Sequence, residues 1–328
     1  AALALTFWRM PESTGADAHG TLDWPGAAMV TLGLGAVVYA LIEAPAQGWS
    51  GVPVLCALAA GVAALAAFVA LEARLASPMV PLFLFRARAF SGANLITFLL
   101  YAALGGGLFF LPLDLIQVQG YSATAAGAAL LPFILIMFTL SRWSGGLADR
   151  YGARLPLTLG SLVAAAGFAL LAVPATDAGY WSSFFAAILV LGLGMALSVA
   201  PLTTTVMNAV DTSHAGVASG INNAAARVAS LLAVAAFGVI LTAVFDRGLD
   251  ARLALADAPA PVLKSLYEQR DKLAAIDLPD GLTASERAAA RRAIDESFVS
   301  GFRWVMVISA LLGVASAACA WLLIPSPD

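Results

Sequence analysis

Residues 122–176 read SATAAGAALLPFILIMFTLSRWSGGLADRYGARLPLTLGSLVAAAGFALLAVPAT, two apolar runs separated by one short charged stretch. Both runs are free of charged side chains, and the ionic groups between them are Arg142, Asp149, Arg150 and Arg154. A bilayer core needs about 20 apolar residues of helix, and charge is costly inside it. The stretch therefore predicts two membrane-spanning helices joined by a charged turn outside the hydrocarbon.

The composition of the whole chain agrees with a membrane protein. Hydrophobic residues make up 61% of the 328 residues and charged residues only 11%, with a mean hydropathy of +0.90. A soluble domain carries about 25% charged residues. The net charge of -3 gives no reason to expect a nucleic-acid partner. The two cysteines and two histidines lack metal-ligand spacing, and no group of catalytic residues converges, so we expect neither a metal site nor an enzyme.

Eight segments are long and apolar enough to span a bilayer. They predict an all-α integral membrane protein with about eight transmembrane helices. Ala1–Trp8 looks like the end of a further, preceding span, so that 1–23 would be its end and a cytoplasmic linker. The eight predicted spans lie at about 24–43, 52–72, 90–112, 124–141, 155–174, 181–202, 228–245 and 299–323.

The orientation follows from the short loops. If the spans alternate, most arginines of the short loops lie on one side, and the opposite short loops carry no Lys or Arg. The positive-inside rule makes the arginine side cytoplasmic. A multi-pass protein of the inner (plasma) membrane is expected, with the loop 246–298 outside. Within that loop, 261–275 has helical spacing, and Thr283 to Glu286 form a capping-box pattern that opens a helix running into the last span. We interpret the loop as a solvated connector rather than a substrate-recognition cap.

The charged turn has a specific pattern of glycine and charge. Gly145 and Gly146 would let the preceding span pack closely or slide. Asp149 would accept from the exposed N–H groups of the next helix, and Gly152 would supply a tight turn. Arg150 and Arg154 would stay at the headgroups. The pattern resembles the Gly-x-x-x-Asp-Arg-x-Gly-x-Arg signature of the major facilitator superfamily, in which it acts as a cytoplasmic latch that breaks and re-forms during alternating access.

Further motifs resemble one branch of that superfamily, the fourteen-span drug:proton antiporters (EmrB/QacA-like). They are FFLPL at 109–113, QVQGYS at 117–122, and GVASGINN at 216–223 followed by Arg227. The resemblance implies the C-terminal portion of such a protein. Its parts would be two central helices at 24–72, a cytoplasmic linker at 73–89 and a C-terminal six-helix bundle at 90–328 that contains the outside loop.

Polar residues within the spans mark the expected pathway. Asn94, Thr97 and Tyr101 share one helix face, and Asp114 lies at the outside end of the same span. Ionisable groups in membranes are functional candidates, although an end position would also suit a solvated mouth residue. For Asn94, cavity lining and interhelical bonding remain open.

A second polar group lies near the cytoplasmic end of the seventh span. Asn222, Asn223 and Arg227 are interpreted as helix-contact residues rather than ligands for cargo. The glycines at 105–107 and in the sixth span are interpreted as helix-packing residues rather than hinges.

The resemblance implies a secondary active transporter, a proton-coupled multidrug exporter of hydrophobic or amphipathic compounds that works by alternating access. It would need no cofactor beyond the proton gradient. Its partners would be the lipid bilayer, a small-molecule substrate and an N-terminal bundle missing from this chain; a periplasmic adaptor is compatible with the family, and a nucleic acid is not expected. The alternatives are an exporter of amino acids, siderophores or lipids on the same fold, or a non-transporting truncated membrane scaffold.

Overall fold

The computed structural model describes residues 23–75, 78–174, 176, 178–255 and 260–325, and the regular structure in these residues is helical throughout. The expected end of a preceding span, Ala1–Trp8, lies outside the described residues. Short 3₁₀ helices occupy Leu82–Arg86, Thr212–His214 and Arg270–Ala275, and a π-helical turn occupies Tyr180–Phe184. The α-helices are α1 (Trp24–Gln47), α2 (Val52–Glu72), α3 (Arg88–Gln117), α4 (Ala123–Ala128), α5 (Leu131–Tyr151), α6 (Arg154–Leu171), α7 (Phe185–Asn208), α8 (Ala215–Leu255), α9 (Ala260–Glu268) and α10 (Ala284–Leu323).

Eight helical segments of the described chain are long and apolar enough to cross a membrane, which confirms the predicted number of spans. Local sequence sets several of their ends. At the start of α1 the Asp23 side chain accepts a hydrogen bond of 2.9 Å from the Gly26 N–H, and Pro25 occupies a position that needs no donor. At the start of α10, Thr283 and Glu286 form the predicted capping box.

Two helices are longer than a bilayer crossing requires. The start of α10 confirms the helix predicted from the capping box, whereas the continuation of α8 past residue 245 corrects the predicted outside loop. Helix α8 has 41 residues and ends at Leu255, and α10 has 40 residues and begins at Ala284. Much of the predicted loop 246–298 therefore belongs to these helices, and the segment between them is 256–283. Hydropathy detects only the part of a helix that lies in lipid, whereas good helix formers continue the helix in water. Within the connecting segment, the predicted helix 261–275 is divided into α9 and a 3₁₀ turn, and Leu273 has a φ of 55°.

Six helices form one bundle, and the α1–α2 hairpin lies beside it. Helices α3, α6, α7 and α10 pack against one another in the middle, with α5 on α7 and α8 against α3 and α10. The hairpin touches the bundle through contacts of α1 with α8. We call the end of the bundle that contains Gly152 the arginine end, and the opposite end, which contains 260–283, the connector end.

Small residues permit the closest helix approaches in the bundle. A Cβ atom on Gly194 of α7 would lie 2.2 Å from the Ala164 nitrogen of α6. The glycines at 105–107 of α3 face Ser230, Phe237 and Phe168 in turn, each too closely for a Cβ atom. Helix α3 is continuous through this triplet. These contacts support packing, rather than bending, as the reason for the glycines.

Candidate transport site

The glycine and charge pattern at the arginine end is mostly helical, which corrects the expectation of a charged turn between spans that end near residue 141 and begin near residue 155. Helix α5 continues to Tyr151, and α6 begins at Arg154, so only Gly152 and Ala153 separate them. Gly152 has a φ of 75°, a conformation that glycine adopts without strain, and it makes the predicted tight turn. Asp149 thus lies in the last turn of α5 and not in a loop before α6. The helix continues through Gly145 and Gly146, which are poor helix formers, so local propensity does not explain this continuation.

The glycines of this pattern do not pack as expected against the described part of the chain. A Cβ atom on Gly145 or Gly146 would meet nothing within 4 Å. The Asp149 side chain lies outside the described residues. Arg150 is exposed and lies 5.4 Å from the Tyr151 ring, and the Arg154 guanidinium lies 4.0 Å from the Trp321 ring centroid. The arginine end of α5 therefore presents an unoccupied surface of small residues with a cationic residue beside it.

The predicted pathway residues of α3 are buried within the bundle. Thr97 is fully buried and Asn94 is 6% exposed. The Asn94 amide donates to the Phe90 carbonyl at 2.9 Å, while its own oxygen is buried without a hydrogen-bond partner. Tyr101 is half-buried against the core. The face that these residues share is thus an internal face of the bundle, which favours interhelical bonding for Thr97.

The structure brings Thr97 together with a residue that the sequence treated separately. The Thr97 hydroxyl lies 2.6 Å from the Asn222 side-chain oxygen on α8 and 2.9 Å from the Ala93 carbonyl. Asn222 is thereby a contact between α3 and α8. Asn223 and Arg227 are both exposed. The Asn223 amide donates to the Ser219 carbonyl of its own helix, and among the described residues Arg227 has no hydrogen-bond or ion-pair partner.

Asp114 lies in a buried polar cluster at the connector end. It is 2% exposed, so the alternative of a solvated mouth residue is wrong for this structure. Its carboxylate is hydrogen-bonded to the Gln119 side chain and faces the Asp295 carboxylate of α10. The Gln119 oxygen also accepts from the Ala178 N–H at 3.0 Å. Two carboxyl groups that share a buried site do not both ionise without cost, so the arrangement suits a group that takes up and releases a proton.

Arg291 of α10 holds this cluster against the connecting segment. It pairs with Asp295 at 3.0 Å, donates to the Ala274 carbonyl at 2.9 Å, and donates to the Gln117 carbonyl at the end of α3. Ala274 itself is fully buried. The segment that precedes α10 is thus tied through Arg291 to the end of α3, three residues from Asp114. One guanidinium joins three parts of the chain that are distant in sequence.

Sequence reasoning missed Arg291, Asp295 and Gln119 as neighbours of Asp114. The i,i+4 spacing of Arg291 and Asp295 is a visible ion-pair signal. Nothing local connects that pair to α3, because the contact spans 174 residues between Arg291 and Gln117. Among the described residues, no group of three or more His, Cys, Asp or Glu side chains could hold a metal ion.

Comparison with known proteins gives a consistent result. The family model described as Major Facilitator Superfamily matches residues 24–234. The tetracenomycin C resistance and export protein of Streptomyces glaucescens is 28% identical over 98% of this chain and 60% of its own length. The multidrug resistance protein Stp of Mycobacterium tuberculosis is 32% identical over 81% of this chain and 49% of its own length. The chain therefore spans roughly half of each of these curated relatives.

Among solved structures, the chain is similar to a bacterial homologue of the human lysosomal transporter Spinster in its inward-facing, occupied conformation. The TM-score is 0.48 and the identity 17%, over 93% of this chain and 68% of that one.

Proposed function

Because this chain belongs to the major facilitator superfamily, we propose that it forms part of a proton-coupled exporter of hydrophobic or amphipathic compounds that works by alternating access. It is a multi-pass protein of the plasma membrane and a transporter rather than an enzyme. The observation that carries the proposal is the similarity to resistance and export proteins, which includes the cephamycin export protein CmcT of Amycolatopsis lactamdurans, 34% identical over 62% of this chain.

We further assign the chain to the C-terminal portion of a fourteen-span antiporter. The separate α1–α2 hairpin supports this assignment, because it would supply the two central helices and leave α3 to α10 as a six-span bundle. The chain covers 60% and 49% of two relatives, as expected if it is one part of a longer transporter. In this arrangement the linker lies at 73–89 and the outside connector at 256–283.

The proposed mechanism assigns a role to each end of the bundle. Rocking of the bundle against an N-terminal partner would open one end and close the other. The uncovered glycines of α5, with Arg150 and Arg154, would dock and release at the arginine end. At the connector end, Asp114 would bind a proton while Asp295 stays paired with Arg291. The Thr97–Asn222 contact would keep α3 and α8 moving as one body.

The proposal is tested by transport in everted membrane vesicles. The chain is expressed within its full reading frame, and efflux of a fluorescent lipophilic dye is followed with the proton gradient on and after its collapse by a protonophore. We expect transport that disappears with the gradient. Transport that persists without a gradient would contradict proton coupling, and the absence of dye transport would favour the other exporter classes or a scaffold. Expression of residues 1–328 alone is the matched control, and we expect no transport from it.

A further inference from the structure

The α1–α8 seam, the boundary between the hairpin and the bundle, is incompletely filled. A cavity of about 610 Å³ lies between α1, α3 and α8 on the connector half of the bundle. A smaller apolar cavity of about 210 Å³ continues along α1 and α8 toward the arginine end. Val38 and Leu231 line both cavities. The larger one has the volume of a small-molecule site.

The wall of the larger cavity is apolar and partly aromatic. Ile42 of α1, Phe109 and Phe110 of α3, and Leu231 and Gly238 of α8 contribute to it. The rings of Phe109 and Phe110 meet edge to face with centroids 5.0 Å apart, and Phe109 is 52% exposed. The cavity exists partly because Gly238 has no side chain, since a Cβ atom there would meet only the edge of Phe110 at 3.9 Å.

The mouth of the cavity at the connector end is acidic. Asp246 and Asp271 line it, and Arg270 is the basic residue among its lining. Arg270 is already engaged, because it pairs with Asp250 and stacks 4.1 Å from the Tyr267 ring centroid. It also forms a longer ion pair of 3.9 Å with the Asp246 Oδ1 atom, which is buried and has no hydrogen-bond partner. A buried carboxylate oxygen of this kind favours a cationic partner.

From these observations we propose that the seam cavity binds amphipathic organic cations, with the apolar body between α1, α3 and α8 and the charge beside Asp246. Leu231 and Asp246 are fifteen residues apart on α8, which corresponds to roughly 22 Å of helix. The cavity is therefore long enough to separate an aromatic body from its charge. The site lies at the side of the bundle, where a ligand can enter from the lipid. This inference deepens the proposed export function and rests on it only for the biological role of the site.

The test compares two probes of the same shape and opposite charge. Tetraphenylphosphonium is a permanent cation and tetraphenylborate is its anionic counterpart. Binding of each to the purified chain in detergent is measured by equilibrium dialysis, with protein-free micelles subtracted. We expect saturable binding of the cation and at least tenfold weaker binding of the anion. Equal binding of the two probes would overturn the proposal, because it would show partitioning without recognition of charge.

Three variants locate the binding to the cavity. Asp246→Asn should weaken cation binding at least tenfold, and Asp246→Glu should restore most of it. Gly238→Leu should abolish binding by filling the space. Asp277→Asn is the matched control, because it removes one acidic charge at the same end from a side chain that is 85% exposed and outside the cavity. We expect its affinity to stay within twofold of the parent.

Several outcomes would refute the site. Equal loss in Asp246→Asn and Asp277→Asn would show that only long-range charge matters. Unchanged binding in Gly238→Leu would place the probe elsewhere. A lipid that copurifies with the parent but not with Gly238→Leu, together with no cation binding, would make the cavity a lipid site. Each variant is first checked for parental size-exclusion behaviour and circular dichroism. Because dialysis does not involve transport, the site and the exporter proposal can fail independently.

Discussion

The packing of α6 on α7 makes a demanding prediction at Gly194. A Cβ atom there would lie 2.2 Å from the Ala164 nitrogen and 2.6 Å from its Cα atom, both backbone atoms that cannot rotate away. Ordinary contact starts at 3.4 Å, so Gly194→Ala would push the helices apart by about 1 Å. Overpacking of this kind costs about 1–3 kcal/mol.

The neighbouring contacts raise the expected cost to the upper part of that range. Gly160 lies under the Gly194 carbonyl, and Gly167 lies against the backbone of Leu191. If α6 and α7 move apart at Gly194, these two other close contacts between the same helices are therefore loosened as well. We expect Gly194→Ala to lower the free energy of unfolding by about 2–3 kcal/mol.

The assay is unfolding in mixed micelles with increasing mole fraction of dodecyl sulfate, followed by circular dichroism and tryptophan fluorescence. Gly35→Ala on α1 is the matched control, because a Cβ atom at Gly35 meets nothing within 4 Å. We expect it to stay within about 1 kcal/mol of the parent. If Gly194→Ala and Gly35→Ala unfolded at the same mole fraction of dodecyl sulfate, the close approach of α6 and α7 would be refuted.

Four further predictions concern single polar groups. Thr97→Val should cost about 0.5–1.5 kcal/mol in the same unfolding assay, since it removes the hydrogen bond to Asn222 and membrane hydrogen bonds are worth about this much. Thr283→Ala removes the capping box and should cost about 1 kcal/mol, seen as faster hydrogen exchange in the first turn of α10. In the full-length protein, Asp114→Asn should make dye efflux insensitive to collapse of the proton gradient. Asp149→Asn should slow efflux at least tenfold without loss of folded protein, as the latch proposal requires.

Each of these has a clear contrary result. Parental stability of the Thr97 variant would mean that the bond to α8 contributes nothing. Unchanged exchange after loss of the Thr283 hydroxyl would mean that packing alone holds the start of α10. If dye efflux by the Asp114 variant still depended on the proton gradient as in the parent, the Asp114 carboxyl would have no role in proton coupling. An efflux rate equal to the parent's in the Asp149 variant would contradict the proposed latch role.

The membrane spans were predictable because a span must be apolar along its whole length in lipid. The same property hid the true helix ends, as α8 shows. Its predicted span begins at residue 228, yet the helix begins at Ala215 and continues to Leu255. The turns added after residue 245 contain Ala, Leu and Arg, which are good helix formers with or without lipid. The turn at Gly152 was predictable for the opposite reason, because a positive φ favours glycine locally.

The environment of Asp114 could not be predicted from its neighbours in sequence. A position near the end of a span suggests water, and the sequence between Arg88 and Arg142 has no charged residue other than Asp114. The carboxyl lies beside Asp295 of α10, which is distant in sequence, and Arg291 of the same helix bonds to the end of α3. The Thr97–Asn222 contact shows the same limit. Both residues were singled out from sequence, but only the packing of α3 on α8 reveals that they are one pair.

The length of α8 and α10 has a mechanical consequence. Each is about 60 Å long, roughly twice the thickness of the hydrocarbon core. Beyond the lipid the two are joined by a 3.1 Å ion pair between Arg252 and Glu296. A rigid pair of this length amplifies small rotations. A tilt of about 10° about the bilayer centre moves a helix end that lies about 30 Å away by roughly 5 Å. A spin label or fluorophore on the projecting turns would therefore report small rotations of the bundle as displacements large enough to measure outside the cell membrane.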